Sequence, residues 1–350
     1  MESSIIEFSN DESGIFGMKL SIVILCWNDR KVVLDCLRSI FATVKHTEFE
    51  VLVSDNGSTD GSVELIRKEF PRAILIENGS NLRFAKGNNV AIRESRGEYV
   101  LILNPDTIIH EGALDGIVQY ADEHPAAGAF GCRVVFPNGI NQPVQRPIGT
   151  LRSEWCWALC LGGLSRFSES FHSGSYANWH GETERTVGWL AGCFILVRGE
   201  LLRNLGGFDE QFFYYYEDTD LCRRIWESGH LILYTPKFTI THLGGQSTVN
   251  RFNPVAFALD GEITRYLYYY KYDGRSGVRS CRRASLVGLA IRRIAYRLRA
   301  LFGSNEFARK RLQVLDTLFA WNHEVDPVRL CENGEEPSLG MNLADRVVER

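Results

Sequence analysis

The sequence predicts an α/β fold with a mainly parallel central sheet covered by helices on both faces. Three observations carry that expectation. Over the first third of the 350 residues, short β-rich runs alternate with helical patterns at close spacing, the signature of parallel strands joined by crossover helices. Each strand run is almost unbroken in its apolar character, as burial on both faces requires. The chain is 45% hydrophobic and 23% charged, which excludes disorder as the main state and provides for a substantial core.

The elements follow in order. A first strand is read at Leu20 to Cys26 and a helix at Lys31 to Val44; a second strand at Glu50 to Ser54 leads to a helix at Asp60 to Glu69. A third strand, Ala73 to Glu77, precedes a helix at Phe84 to Glu94, and a fourth, Tyr99 to Leu103, precedes a helix at Ala113 to Glu123. From Cys132 the pattern changes. VVFPNGINQP sets a Pro-Asn-Gly turn between extended pieces, and Thr150 to Arg185 is rich in Trp, Ser, Gly and His without a period, so it reads as an insertion over the sheet. A strand resumes at Val187 to Val197, a short helix follows, and Asp218 to Ser228 reads as a helix whose acidic start suits the positive end of its dipole. A short strand at Lys237 to Thr241 ends in HLGGQS. The expected division is a tail (1–17), one large domain (18–250, in halves 18–125 and 126–250), an amphipathic basic helical segment (251–325) and a second tail (326–350).

Several classes are excluded or disfavoured. The longest uncharged apolar stretches, Trp155 to Leu164 and Gly188 to Val197, are ten residues each, about half of the roughly 20 that span a bilayer. The start MESSIIEFSNDESG is acidic and lacks the basic and apolar regions of a signal peptide, so the expected location is the cytosol. Nine cysteines without a CxxC pair read as thiols, with Cys156 and Cys160 on a packed helix face. Neither a G-x-G-x-x-G after the first strand nor a Walker A sequence is present, which removes the main support for dinucleotide and P-loop readings.

Ligands of such sheets bind beyond the carboxyl ends of the strands, which directs attention to Trp27-Asn28-Asp29, Asp55-Asn56-Gly57-Ser58 and Asn104-Pro105-Asp106. Asp55 either closes a turn or holds a nucleobase edge; Asp60 reads as a helix cap. Asn104 and Asp106 leave the fourth strand through a Pro turn, where the carboxylate either makes an Asx turn or holds a hard divalent cation against a diphosphate. His242 is either a satisfied structural residue or a ligand beside two glycines suited to an anion. In the acidic cluster, successive helical residues differ by about 100°, so Glu217, Asp218 and Asp220 point three ways and one alone can face a given substrate. Asp220 fits a dipole or Arg223/Arg224 partner. The Phe212 to Tyr216 run is either a sugar-stacking platform or a buried edge.

SIVILCWN, VLVSDNGSTDGS, NLRFAKGNN, LILNPDT, GWLAGCFILVR and FFYYYEDTDLCRR, in this order from Leu20 to Ser247, resemble the inverting glycosyltransferase family 2, most of all its rhamnosyltransferase-like branch. The resemblance implies a GT-A fold, a nucleotide-diphospho-sugar donor, Mg2+ or Mn2+ at the acidic turn after the fourth strand, and a carboxylate general base. It makes residues 18–125 the nucleotide-binding half and 126–250 the acceptor and catalytic half. Carried over, Trp27, Asn28, Asp55, Asn56, Arg83, Lys86, Asn88, Asn104 and Asp106 fall to the nucleotide-sugar, Asp106 and His242 to the metal, and Trp189, Gly192 and Tyr216 to the acceptor. Inversion requires the acceptor hydroxyl to lose its proton on the face opposite the departing diphosphate, and the resemblance puts that base at Asp218 with Glu217 in support. Two departures stand out: Arg83 replaces a usual Gly, and N-P-D replaces D-x-D, leaving one carboxylate that His242 would supplement.

From Lys271 to Arg311 twelve Lys/Arg face only Asp273 and Glu306, a net of +10 in a chain whose formal charge is −4. Taken as a helix from Leu286, this segment sets Val287, Ala290, Ile291, Ile294, Ala295, Leu298, Leu301 and Phe302 on one half and Arg282, Arg292, Arg293 and Arg299 on the other, with Arg297 at the edge. That pattern suits an anionic membrane surface; the alternative is a helix docked on the main domain with its arginines in water. No RNA module accompanies the charge, so nucleic acid is not an expected partner. The combined expectation is metal-assisted, inverting transfer, from a donor such as dTDP-rhamnose to a glycan or lipid-linked acceptor at the inner membrane face. A UDP- or GDP-hexose donor, or a catalytically silent nucleotide-sugar-binding protein, are the rivals; the full set Asp106, Glu217, Asp218 and His242 speaks against silence.

Overall fold

In the computed structural model, which describes residues 17–212, 215–244, 254–301 and 306–333, the first third is built from β1 (Leu20–Cys26), α1 (Arg30–Thr43), β2 (Phe49–Asp55), α2 (Ser62–Glu69), β3 (Ile74–Glu77), α3 (Arg83–Glu94) and β4 (Tyr99–Leu103). β1 lies between β2 and β4, parallel to both, with Cys26 in register with Asp55, and β3 extends the parallel set beyond β2. Ile22 and Ile24 pack on one face of β1 and Val23 on the other, all fully buried. Helix α2 starts two residues later than expected because Asp60 turns back: its Oδ1 accepts the Ser62 N–H at 3.1 Å and its Oδ2 the Arg30 N–H at 2.9 Å.

The second half adds β5 (Thr107–Ile109), α4 (Ala113–Glu123), β6 (Ala127–Val135), β7 (Gln145–Arg146), α5 (Leu151–Ala158), β8 (Arg185–Thr186), β9 (Trp189–Leu190), β10 (Phe194–Arg198), α6 (Gly199–Asn204), α7 (Glu217–Glu227) and β11 (Leu231–His242). The central sheet runs β3-β2-β1-β4-β10-β6-β11-β5 with β8 beside β11. β10 enters antiparallel to β4 and β6, and β11 is parallel to β6.

Three expectations are corrected here. The change of pattern placed at Cys132 falls inside β6, whose apolar run is interrupted by Gly128 and Gly131. The single strand expected at Val187 to Val197 is two: β9 pairs with β7 in a separate ribbon and β10 joins the main sheet. The break at Ala191-Gly192-Cys193 frees Gly192, where a Cβ would stand 3.0 Å from the Phe84 ring. β11 starts at Leu231, six residues before the expected Lys237, since a register shift between Thr235 and Thr239 absorbs Pro236.

The C-terminal helices are α8 (Pro254–Leu301), broken at Gly274 (φ 61°, ψ −159°), α9 (Glu306–Glu324) and α10 (Pro327–Asn333). They close a third apolar cluster in which Leu259, Ile263, Tyr266, Val278 and Cys281 meet Phe212, Trp321 and Val328. No helix among the described residues is long and apolar enough to cross a membrane. The second half of α8 docks with Arg282, Arg292 and Arg293 turned inward and Arg283, Arg297 and Arg299 exposed, which corrects the docked reading with every arginine in water. Arg292 lies 3.8 Å from the Trp157 ring and donates to the Trp157 carbonyl; Arg293 pairs with Asp316 over the Phe319 ring; Arg282 donates to the Asn322 carbonyl. Arginine stems pack on aromatic faces while their heads take carbonyls and a carboxylate. Gly288 permits the approach, since a Cβ there would sit 2.5 Å from Trp157. Ile294 and Leu298 are left 60% and 52% exposed. Phe302 lies outside the described residues.

Candidate active site

Because β1, β2 and β4 are parallel and adjacent, their carboxyl ends deliver the expected residues to one edge. Asp55 is buried at the end of β2; its Oδ2 accepts the N–H groups of Gly57 and Ser58 at 3.0 and 2.9 Å, while its Oδ1 is buried without a partner. The turn reading therefore accounts for one oxygen and leaves the other for a ligand. Asn28, in the left-handed region at φ 55°, accepts the Thr59 N–H at 2.7 Å and ties the loop after β1 to the loop after β2. Trp27 is half-buried beside it. Asn56 spends its side chain inside the fold, donating to Asn81 and to the Arg83 carbonyl and accepting from Asn78 at 2.9 Å. Asn88 donates to the Phe84 carbonyl and keeps a buried, unpartnered Oδ1; Lys86 is exposed on α3.

At the next strand end, the turn after β4 and the last residue of β11 converge. Asp106 Oδ1 and His242 Nε2 lie 3.1 Å apart, both groups buried. Asn104 Nδ2 stands 3.4 Å from the same His242 nitrogen, and Gln142 Oε1 is 3.1 Å from Nδ1. The Leu243 N–H donates to the Asp106 carbonyl, holding the two chain segments together. No group of three His, Cys, Asp or Glu gathers among the described residues. A hard carboxylate and an imidazole on one edge still fit a divalent ion that takes its remaining ligands from substrate phosphates and water, as Mg2+ commonly does. Gly245, Gln246 and Ser247 lie outside the described residues.

The loop before β10 connects this edge to the acidic cluster. The Asn104 N–H donates to the Cys193 carbonyl at 3.2 Å, and the neighbouring Gly192 N–H donates to Asp218 Oδ2 at 3.1 Å. Asp218 Oδ1 accepts the N–H of Thr219 at 2.7 Å and its hydroxyl at 3.3 Å. Glu217, 8% exposed, has a buried and unpartnered Oε2. Burial, and then the neighbouring Asp218 charge, push Glu217 up to about 8. Burial also raises Asp218, against donors that favour its charged form. Hydrogen bonds to a carboxylate favour ionisation and desolvation opposes it, so the donors on Asp218 make it the more readily ionised of the two and Glu217 the one that holds its proton more tightly. Asp220 is fully buried away from the cavity: Oδ2 takes Arg224 at 2.7 Å, and Oδ1 takes Lys271 at 2.6 Å and Tyr272 at 2.7 Å. Arg223 turns instead to Glu227 and the Tyr272 ring.

Four non-glycine residues in the left-handed region border this edge: Asn28, Arg83, Tyr215 and Tyr216. Each costs on the order of 1–2 kcal/mol, and such strain collects where a site over-determines the backbone. Phe213 and Tyr214, part of the expected stacking run, lie outside the described residues. A cavity of about 310 Å³ opens beside Asp218 with Trp189 and Tyr216 in its wall; Gly192, the third residue expected at the acceptor, is not among the residues that line it. Tyr215, from the run read as a stacking platform or a buried edge, also lines it, as do Arg146 of β7, Glu154 and Trp157 of α5 and Arg265 of α8; no reading of the sequence reached these last four. Asp260, also on α8, is a further buried carboxyl with an unpartnered Oδ1; burial pushes it up to about 6 despite the nearby Arg83 charge.

Comparison with known proteins agrees with this geometry. The pattern of Glycosyl transferase family 2 matches residues 21–173. The N-acetylglucosaminyl-diphospho-decaprenol L-rhamnosyltransferase of Mycobacterium tuberculosis is 32% identical over 215 residues, 57% of this chain and 67% of that protein. Rhamnosyltransferase WbbL of Escherichia coli K12 is 25% identical over 237 residues, 63% of this chain and 82% of that protein. Among solved structures, the mannosyltransferase PcManGT from Pyrobaculum calidifontis, in complex with GDP-Man and Mn2+, superposes with a TM-score of 0.54 at 17% identity, over 87% of both chains. That superposition fixes the fold as GT-A, and the relative that is 32% identical over two thirds of its own length places this chain, a glycosyltransferase, in glycosyltransferase family 2.

Proposed function

We propose that the enzyme moves rhamnose from dTDP-rhamnose, with inversion, onto a hydroxyl of a lipid-linked saccharide during assembly of a cell-surface glycan. The names of the two rhamnosyltransferases support the sugar, and that of the mycobacterial one supports a diphospho-lipid acceptor. The observation that carries the chemistry is the Asp218 carboxylate, held by the Gly192 N–H one residue from the loop that touches Asn104. In this reading Asp218 takes the proton of the acceptor hydroxyl as the new bond to the anomeric carbon forms and the bond to the diphosphate breaks on the opposite face. Glu217 keeps its proton and lends no charge that competes with Asp218. Trp27, Asn28, Asp55, Asn56 and Asn88 shape the nucleotide side, with Arg83 and Lys86 toward the phosphates. Asp106 and His242 would hold Mg2+ or Mn2+, which would offset charge on the departing diphosphate. Trp189, Gly192 and Tyr216 border the acceptor.

We also place the enzyme at an anionic membrane, since Ile294 and Leu298 stand exposed beside Arg297, Arg299 and Arg283. The decisive test offers the full chain a panel of nucleotide-sugars with Mg2+ or Mn2+ and a short-chain lipid-diphosphate saccharide, and follows sugar transfer. Transfer from dTDP-rhamnose with inverted anomeric configuration is expected. A preference for a UDP- or GDP-hexose overturns the donor, and binding without transfer from any donor overturns the enzyme reading.

A further inference from the structure

We infer that a second, larger cavity, between the insertion and the second half of α8, binds the diphosphate of the acceptor through Arg146 and Arg292. The inference rests on the transfer reaction proposed above and gives its acceptor side a site.

This cavity measures about 720 Å³, and its walls include Arg146, Arg292, His180, Ser173, Trp157 and Trp179. No Asp or Glu lines it. Most arginines nearby are neutralised: Arg265 by Glu154 and Glu262, Arg293 by Asp316, Arg185 by Glu169. Arg146 and Arg292 differ. Among the described residues Arg146 donates only to the Gly174 carbonyl, and Arg292 to the Gly288 and Trp157 carbonyls while stacked on the Trp157 ring. Carbonyl contacts fix the two guanidinium planes and leave both charges uncompensated, the arrangement that recognises phosphate oxygens.

Position supplies the second argument. The cavity beside Asp218 and this one share Arg146, Trp157 and Ser173 as a common wall. A saccharide whose hydroxyl meets Asp218 therefore directs its other end past Arg146 toward Arg292. The donor's own diphosphate belongs at Asp106 and His242, on the far side of the Gly192 loop.

The test is a calorimetric titration of the full chain with geranyl diphosphate in EDTA, where the donor site has no metal. Wild type should bind. Arg146→Gln with Arg292→Gln should weaken binding at least tenfold, Arg292→Lys, which keeps the charge but loses the planar fork and the stack on Trp157, should weaken it severalfold, and Asp106→Asn should change it less than twofold. Arg146→Gln alone, which removes a single carbonyl contact, should weaken binding severalfold and guards against misfolding as the cause. Equal binding by the double variant, or loss of binding in Asp106→Asn, overturns the inference. If the double variant leaves phosphatidylglycerol vesicles yet binds geranyl diphosphate as wild type does, the arginines serve lipid headgroups and the inference falls. Failure of wild type to transfer sugar to any lipid-diphosphate saccharide refutes the reaction, a result separate from this titration.

Discussion

Replacing Glu217 by Gln removes a proton equilibrium that the fold shifts upward, and the consequence for stability has a definite sign. The folded carboxyl titrates near 8 and the unfolded one near 4.5. Between those values the folded chain holds a proton that the unfolded chain releases, so this group's contribution is complete below the unfolded value and is lost as pH rises through the folded one. The slope approaches about 1.4 kcal/mol per pH unit, on the order of 2–3 kcal/mol from pH 5.5 to 7.5. Gln cannot ionise, so Glu217→Gln should gain on wild type over that range, by roughly 5 to 10 °C in melting temperature at roughly 2–4 °C per kcal/mol. Parallel thermal melts of both proteins at several pH values measure the gap, and subtraction cancels the titrating groups other than the neighbouring Asp218. Curves that stay parallel would mean that Glu217 is ionised in the folded chain, and the assignment of the charge to Asp218 would fail with it.

Asp218→Asn should lower turnover by about a hundredfold or more with donor affinity nearly unchanged; near-normal turnover there, with Glu217→Gln inactive, would move the base to Glu217. Chelation with EDTA should abolish transfer and Mg2+ or Mn2+ restore it, whereas full activity in chelator would leave Arg83 or Lys86 to hold the donor phosphates. Asp220→Ala leaves Arg224 and Lys271 without their shared, fully buried partner, a change that should cost about 3–5 kcal/mol in urea unfolding; a loss under about 1 kcal/mol, the range of exposed pairs, would show that solvent replaces it. The full chain should sediment with vesicles containing anionic lipid and stay in solution with neutral ones, and Ile294→Glu with Leu298→Glu should release it; retention of that variant would remove the exposed face from the anchor.

What the sequence disclosed follows from what is local. The boundaries of β1, α1 and β4 were legible to within a residue, because unbroken apolar runs end abruptly in polar turns such as Trp27-Asn28-Asp29 and Asn104-Pro105-Asp106. The individual residues Asp55, Asp106, Asp218 and His242 were legible too. Their geometry was not, because β10 enters antiparallel between β4 and β6 and β11 returns parallel to β6, and only that order brings His242 to Asp106. Arg146, Trp157 and Arg265 carry no periodic signal that marks a cavity wall. The helical wheel from Leu286 correctly separated an apolar from a basic face, but polarity alone does not say which face docks. Trp157, Phe319 and Asp316 decide it, and they lie more than twenty residues away in sequence from Arg292 or Arg293.

Reading residues 251–325 as an appended basic segment meets a physical objection in α8. Its first half supplies Lys271 and Tyr272 to the fully buried Asp220, so it fixes the first turn of α7, the turn that presents Glu217 and Asp218. The same half places Arg265 in the wall of the cavity beside Asp218 and packs Leu259 and Ile263 with Phe212. Removing it would uncover that apolar cluster and leave a buried carboxylate short of two partners, which is far costlier than losing an exposed tail. The basic second half continues beyond Gly274 and is itself pinned to α5, with Trp155 donating to Ser280 and Arg292 to Trp157. Both halves of α8 are thus packed into the helices that flank the Asp218 carboxylate.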